Sequence, residues 1–165
     1  MVFLHEGLGS MVQWRDFPAR LSNETGCAAL LYDRYGYGLS EAINGIRTSA
    51  YMPEEACIFL PQLLDKVGIT EKIIPVGHSD GGTIALLFAS RFHDKVAAVI
   101  TEADHVINEE ITLNGVRQVA EEYEKGNLKK LLSKFHPDKT DSMFYSWSTY
   151  WLQKEQADWH IKDTL

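Results

Sequence analysis

Several protein classes are excluded by what the sequence has little of. No apolar run approaches the roughly 20 residues that cross a bilayer, and the opening stretch at residues 1–5 is too short for the core of a secretory signal. Only two cysteines occur, Cys27 and Cys57, and their spacing is not that of a metal site. We interpret both as reduced core residues, which favours a cytoplasmic protein without a membrane partner.

Basic residues are in the minority, and the common metal and phosphate motifs are missing. The chain has 16 Lys and Arg against 23 Asp and Glu, a net charge of −7, whereas a nucleic-acid surface needs a basic face. No His-Glu-x-x-His, Cys-x-x-Cys or Gly-x-x-x-x-Gly-Lys-[Ser/Thr] pattern occurs. The sequence therefore predicts no nucleic-acid partner, no metal and no cofactor.

Short apolar runs of strand type alternate with amphipathic helical patterns. We predict buried strands at residues 1–4, 28–32, 72–76 and 95–101. One of the intervening helices is predicted to start at Pro53 and to be kinked at Pro61. The alternation predicts an α/β fold, with a parallel sheet that carries helices on both faces. From Ile111 onward only helical patterns follow, with tryptophans that we interpret as packing surface.

A glycine-rich turn joins the third apolar run to a helical run that starts at Thr83. Its sequence is Gly77-His78-Ser79-Asp80-Gly81. A strand, a tight Gly-x-Ser-x-Gly turn and a helix form the context that a nucleophilic serine requires, because small neighbours permit a cramped backbone at the serine. The backbone N–H of Asp80 lies at the helix N-terminus, where it can hold an oxyanion. A serine that merely caps the helix is the structural alternative.

Three loops, each placed after a strand-like run, share one resemblance. They are His5-Glu6-Gly7, Asp33-Arg34-Tyr35-Gly36-Tyr37-Gly38-Leu39-Ser40 and Gly77-His78-Ser79-Asp80-Gly81. In that order and spacing they resemble the loops of the α/β-hydrolase fold family. The second matches the family's Asp-x-x-Gly-x-Gly-x-Ser turn at every position, whereas Glu6 stands where the family usually has glycine. The resemblance implies a partial hydrolase core at residues 1–110 and a helical lid at residues 111–165.

The resemblance also implies a chemistry. Ser79 would be the catalytic nucleophile, and the backbone N–H groups of Asp80 and Gly7 (or Glu6) would form the oxyanion hole. We therefore expect a serine hydrolase that acts on an ester or a related acyl bond of a small-molecule substrate. The family's dehalogenases and epoxide hydrolases use an aspartate at the place of Ser79, so the serine favours acyl chemistry.

The groups that would activate the serine depart from the family's pattern. The predicted strands look like the third to sixth strands of the family's sheet, whereas the family normally places its acid and histidine after the last two. The chain resembles an internal piece of a larger hydrolase, and we expect little turnover from it alone. The internal acid–base candidates after the fourth run are Glu102, Asp104 and His105, with a pocket-lining role for His105 as the open alternative.

The other histidines are weaker candidates for a base. His5 and His78 are predicted to serve their loops structurally, and His136 and His160 lie in the lid region.

A second function stays open beside the hydrolase. A truncated, non-catalytic fragment or a binding module of the same fold would carry the same motifs. Uncovered apolar sheet edges would then favour self-association of the chain.

Overall fold

The strands form a four-stranded parallel sheet. The computed structural model describes residues 1–156 and 158–165. The strands are β1 (Val2–Leu4), β2 (Leu30–Leu31), β3 (Pro75–His78) and β4 (Ile100–Glu102), and their order in the sheet is β2-β1-β3-β4. Phe3 of β1 lies opposite Leu31 on one side and Val76 on the other. The predicted α/β fold with a parallel sheet is therefore confirmed.

Helices connect every pair of successive strands, as parallel pairing requires. They are α1 (Phe17–Thr25), α2 (Tyr51–Glu54), α3 (Leu60–Lys66), α4 (Asp80–Arg91), α5 (Glu110–Lys125), α6 (Leu128–Leu132) and α7 (Thr140–Leu152). The last three follow the sheet and form the helical region that the sequence predicted.

The helix predicted from Pro53 is divided into three parts. α2 begins at Tyr51, a π-helical segment follows at Glu55–Phe59, and α3 begins at Leu60. Pro61 therefore lies in the first turn of α3, where its missing N–H removes no hydrogen bond of that helix. The predicted kink takes the form of a change of helix type just before the proline.

Burial differs between the central and the edge strands. β1 is buried throughout and β3 at all but its last residue, whereas β2 is half-buried and Ile100 of β4 is 48% exposed. The prediction that all the strands are buried is wrong for these two edge strands, because each has a neighbour on one side only. The prediction of core cysteines is also wrong, since Cys57 is exposed and Cys27 only half-buried.

Aromatic side chains join the helical region to the sheet. Tyr123 of α5 stacks on Phe144 of α7 with ring centroids 3.6 Å apart, and Trp151 of α7 is 1% exposed. The buried side chains of α5, α6 and α7 and those of the sheet form one continuous core. Trp147 and Trp151 therefore serve packing, while the division at residue 110 stays a prediction.

Candidate active site

Ser79 occupies a strained turn between β3 and α4. Its φ of 52° and ψ of −121° lie in a region that residues other than glycine rarely adopt. Its backbone N–H donates to the Glu102 carbonyl at 2.9 Å, and its own carbonyl accepts from the N–H groups of Gly82 and Thr83. Within the described residues, its hydroxyl makes no capping hydrogen bond to α4. Backbone groups therefore hold the turn, and the hydroxyl is left for other contacts.

Glycine is required on both sides of Ser79 because β3 and α4 nearly touch. A Cβ on Gly77 would lie 2.2 Å from the carbonyl oxygen of Gly81, and a Cβ on Gly81 would lie 2.0 Å from the carbonyl oxygen of Leu4. Both distances are far inside van der Waals contact. The spacing of the motif is thus a consequence of how β1, β3 and α4 pack, and this packing brings the loop after β1 beside the start of α4.

The residues predicted to form the oxyanion hole are neighbours. The carboxylate of Glu6 lies 3.5 Å from Nδ1 of His78, which ties the loop after β1 to the turn. A Cβ on Gly7 would lie 2.7 Å from Oδ2 of Asp80 and 2.0 Å from Nε1 of Trp147. Helix α7 therefore covers this loop with the Trp147 indole. The oxyanion hole itself stays a prediction.

The loop at residues 33–40 after β2 is organised by the carboxylate of Asp33. Oδ1 accepts from the N–H of Met11 at 2.8 Å, and Oδ2 accepts from the N–H of Leu39 at 2.9 Å. Gly38 has a φ of 49°, and a Cβ at this position would lie 2.0 Å from Cγ of Asp33. The Asp33 carboxylate occupies the space that a side chain at position 38 would need, so the aspartate and the second glycine of the motif together determine the shape of the loop.

His136, between α6 and α7, fastens the helical region to two loops of the core. Its Nδ1 accepts from the N–H of Gly38 at 2.9 Å, and its Nε2 donates to the carbonyl of Leu8 at 3.0 Å. These partners assign a neutral ring with the proton on Nε2. Burial lowers the pKa of His136, which keeps the ring neutral. The sequence placed this histidine in the lid but gave no sign of its partners.

Arg34 is a buried structural residue that the sequence reasoning did not single out. Its guanidinium donates to the carbonyls of His5 at 3.0 Å and Glu6 at 2.9 Å, and also to the hydroxyl of Tyr51. The His5 ring accepts from the Arg34 backbone N–H at Nε2 and donates to the Glu6 carbonyl from Nδ1. Burial, and then the charge of Arg34, lower the pKa of His5 well below its usual value. Arg34 and His5 thus support the loop that carries Glu6.

The acid–base candidates after β4 are placed differently from one another. Nε2 of His105 lies 3.4 Å from Oγ of Ser79. Glu102 is exposed and meets Ser79 through its backbone carbonyl, and Asp104 packs its Cβ beside Gly82. Among the described residues, no carboxylate forms an ion pair with the His105 ring. The structure brings His105 to Ser79 and leaves the side chains of Glu102 and Asp104 aside.

Asp80 places a buried carboxyl next to the nucleophile candidate. The side chain is 1% exposed, and its Oδ2 accepts from the hydroxyl of Tyr51 at 3.3 Å. Burial raises the pKa of Asp80, and the charges of Arg34 and His105 oppose that shift.

The described ranges, 1–156 and 158–165, contain neither a metal-binding cluster nor a membrane-spanning helix. In these ranges no cluster of three or more His, Cys, Asp or Glu side chains is arranged to hold a metal ion. In the same part of the chain no helix is both long and apolar enough to cross a membrane.

Comparison with known proteins agrees with this architecture. A family model described as the alpha/beta hydrolase fold matches residues 1–143. The chain is 25% identical over 172 residues to a proline iminopeptidase of Saccharolobus solfataricus, a match that covers 100% of the chain and 54% of the iminopeptidase.

Solved structures give the same answer for the fold. A thermophilic esterase from Thermogutta terrifontis matches with a TM-score of 0.71 and 20% identity, over 99% of this chain and 65% of the esterase. MGS-M2, an alpha/beta hydrolase enzyme from a Medee basin deep-sea metagenome library, matches with a TM-score of 0.70 and 21% identity, over 99% of this chain and 66% of MGS-M2. The chain thus spans about half to two thirds of the length of these relatives.

Proposed function

Because the chain belongs to the α/β-hydrolase family, we propose that it is a serine hydrolase that cleaves a carboxylic ester or a related acyl bond through Ser79. The observation that carries the proposal is the conformation of Ser79. Its strained backbone is held by hydrogen bonds to β4 and α4, while its hydroxyl caps nothing within the described residues and faces an imidazole nitrogen. Strain of this kind persists where the surrounding structure enforces it, and it clusters at reactive residues.

The proposed reaction is acyl transfer to the serine followed by hydrolysis. Oγ of Ser79 attacks the carbonyl carbon of the substrate, and the negative charge develops on the carbonyl oxygen. The backbone N–H of Asp80, the first residue of α4, has no acceptor within the helix and is available to that oxygen. The N–H of Gly7 or Glu6, in the loop beside it, is the second donor.

The relatives favour two kinds of acyl bond. One solved relative is an esterase and one sequence relative is a proline iminopeptidase, so an ester and an aminoacyl amide are the substrates to compare. We favour the ester. Among the described residues no carboxylate forms an ion pair with the His105 ring, and from such a site the alkoxide of an ester departs more readily than an amine.

The proposal is tested by hydrolysis of p-nitrophenyl butyrate and of proline p-nitroanilide by the purified chain. We expect slow release of nitrophenol from the ester, lost in Ser79→Ala and retained in Ser133→Ala, which alters an exposed serine of the helical region. The anilide should react more slowly than the ester. Release of nitrophenol at the same rate from Ser79→Ala would contradict the proposal and favour the non-catalytic alternative.

A further inference from the structure

We infer that the chain has a second binding site, a cavity between the loop at residues 43–48 and the helical stretch at residues 51–59, which takes a small neutral carboxamide with an aromatic or branched body. The inference goes beyond the proposed function and does not depend on it. The cavity has a volume of about 260 Å³. Pockets for drug-sized ligands have roughly 300–1,000 Å³, so the ligand of this cavity is smaller than those.

The carboxyl of Glu55 lines this cavity with one of its oxygens unpaired. Glu55 is 2% exposed, and its Oε2 has no hydrogen-bond partner among the described residues. In the same part of the chain no ion pair joins this carboxylate to a guanidinium. Buried polar atoms are nearly always hydrogen-bonded in folded proteins, so an unpaired one at a cavity indicates a bound group that supplies the missing donor.

The guanidinium of Arg47 adds an unpaired donor to the same cavity. Arg47 is 6% exposed, and its Nε has no hydrogen-bond partner among the described residues. Another nitrogen of the group donates to the Tyr35 carbonyl at 3.0 Å, and the guanidinium carbon lies 4.0 Å from the ring centre of Tyr51, so the donor is held in place. A carboxamide matches this pair of unpaired atoms, because it donates through its nitrogen and accepts through its oxygen.

The charges around the cavity favour a neutral ligand. An anion would be repelled by the carboxylates of Glu54 and Glu55, which both line the cavity. A cation would be repelled by Arg34 and Arg47, whose charges both reach Glu55. These repulsions are strong where water is excluded. A carboxamide forms hydrogen bonds with both kinds of group and adds no charge to them.

Apolar side chains provide the rest of the lining. The rings of Tyr35 and Phe59 have centroids 6.3 Å apart, and Ile43 and Ile46 also line the cavity. Phe59 is 41% and Ile46 60% exposed. Apolar walls with a few polar groups are typical of small-molecule sites, in which the polar groups orient the ligand. These walls therefore favour an aromatic or branched body beside the carboxamide.

The backbone of the chain is also unusual at this place. Glu55 and Phe59 are the first and last residues of the π-helical segment between α2 and α3, and both line the cavity. π-Helical segments are rare and occur frequently at functional sites. This observation is independent of the unpaired polar atoms and supports the same conclusion.

The cavity is separate from the candidate active site. Its lining comes from residues 35–59 and includes neither Ser79 nor His105. Tyr51 connects the two places, because it lines the cavity and its hydroxyl donates to Oδ2 of Asp80 at 3.3 Å. Binding in the cavity can therefore be measured whether or not Ser79 is reactive.

The first test compares four probes on the unaltered chain by heteronuclear NMR: benzamide, acetophenone, benzoate and benzylamine. Benzamide should bind with a dissociation constant of the order of 1 mM and shift the signals of residues 43–59. Acetophenone lacks the amide N–H and the other two probes are charged, so each should bind about tenfold or more weakly. Tighter binding of a charged probe, shifts confined to other residues, or no shift with benzamide well above that concentration would overturn the inference.

The second test locates the site with variants. Arg47→Met removes the unpaired donor and should weaken benzamide binding about tenfold or more. Ile46→Ala should weaken it about fourfold, the contribution of one buried methylene group, whereas Ile111→Ala, at an isoleucine of α5 that is 77% exposed, should bind like the parent. Ser79→Ala should also bind like the parent, so failure of the proposed function would leave this inference intact. Parent-like binding in Ile46→Ala, or in a folded Arg47→Met chain, would overturn it.

Discussion

The loops that follow the two edge strands, β2 and β4, differ in how completely their polar side chains are hydrogen-bonded or ion-paired. On the β2 side, the loop at residues 33–40 is closed by Asp33, and the His136 ring accepts from this loop with one nitrogen and donates to the loop after β1 with the other. On the β4 side, the loop that carries His105 is half-buried, and the described part of the chain offers its ring no carboxylate partner. Ile100 on the same edge is 48% exposed.

We propose that this difference separates structural histidines from those near the candidate nucleophile. A buried ring with both nitrogens engaged is held neutral, and protonating it would break a hydrogen bond. The His105 ring instead lies against the hydroxyl of Ser79. We therefore expect substitutions on the β2 side to change stability and substitutions on the β4 side to change reactivity.

The largest effect on stability is expected from Arg34→Met. The substitution removes the guanidinium that donates to the carbonyls of His5 and Glu6 and to the Tyr51 hydroxyl, and it should lower the free energy of unfolding by about 2–5 kcal/mol. Urea unfolding followed by circular dichroism measures the loss. Arg20→Met is the matched control, because the Arg20 side chain is 78% exposed, and it should change stability by no more than about 0.5 kcal/mol. His105→Gln should resemble this control, and a loss as large as that of Arg34→Met would break the comparison.

A smaller loss is expected from His136→Ala. The Gly38 N–H and the Leu8 carbonyl lose their partner, which should cost about 1–3 kcal/mol of the free energy of unfolding. Unfolding curves of His136→Ala and of His93→Ala, measured side by side, give the difference. Equal stability of the two variants would mean that the helical region is not fastened through His136.

Much of the fold was predictable from the sequence, because its signals are local. Each of these signals lies within a few residues: the apolar strand runs, the Gly-x-Ser-x-Gly turn and the Asp-x-x-Gly-x-Gly-x-Ser loop. The close approach of the backbone at Gly77 and Gly81 explains why the glycine spacing in the sequence predicts the turn. The apolar runs of β2 and β4 did not themselves indicate exposure, because such a run does not show whether its strand has neighbours on both sides; only the resemblance to an internal piece of a larger sheet pointed to uncovered edges.

The candidate site was predictable only in part. The sequence offered His105 as a candidate but could not show that it reaches Ser79, because that contact depends on the turn at Ala103 and on the Thr83 hydroxyl, which hydrogen-bonds to the backbone of His105. The available signal for Thr83 was a polar residue directly before the apolar run at residues 84–89 of α4. The partners of His136 lie about a hundred residues away in the chain, and no local pattern encodes them.

A modest pH dependence follows from the two structural histidines. Burial lowers the pKa of both His5 and His136 in the folded chain, so the unfolded chain binds more protons below about pH 6.5. Their contribution to stability is therefore complete above about pH 6.5 and is lost as the pH falls toward the folded pKa values. The buried carboxyl of Asp80, whose pKa is raised, acts in the opposite direction in acid.

The contribution of one ring is isolated by comparison with a variant. His136→Asn keeps an amide donor and acceptor but cannot titrate, so the stability advantage of the parent over this variant should shrink between pH 7 and pH 5. Urea midpoints measured across this range provide the check. A constant difference would show that His136 titrates alike in the folded and unfolded chain.

The smallest effect on folding stability is expected at the exposed β4 edge, where we propose that copies of the chain associate. A lysine in place of Ile100 should raise the monomer fraction in sedimentation velocity, because charged edge strands pair poorly with one another. It should change the free energy of unfolding by no more than about 0.5 kcal/mol. Val12→Lys, at an apolar residue that is 57% exposed, is the control. Identical sedimentation of the parent and both variants would refute association through β4.

The central claim is that Ser79 is the reactive nucleophile of this chain, and mapping a fluorophosphonate adduct tests it most directly. After trypsin digestion, Ser79 and Ser90 fall within one peptide, so fragment-ion masses must assign the modified serine. We predict a single adduct on Ser79 that is absent from Ser79→Ala. An adduct on Ser90 or on another serine, or an unmodified chain after prolonged exposure to the reagent, would contradict the account.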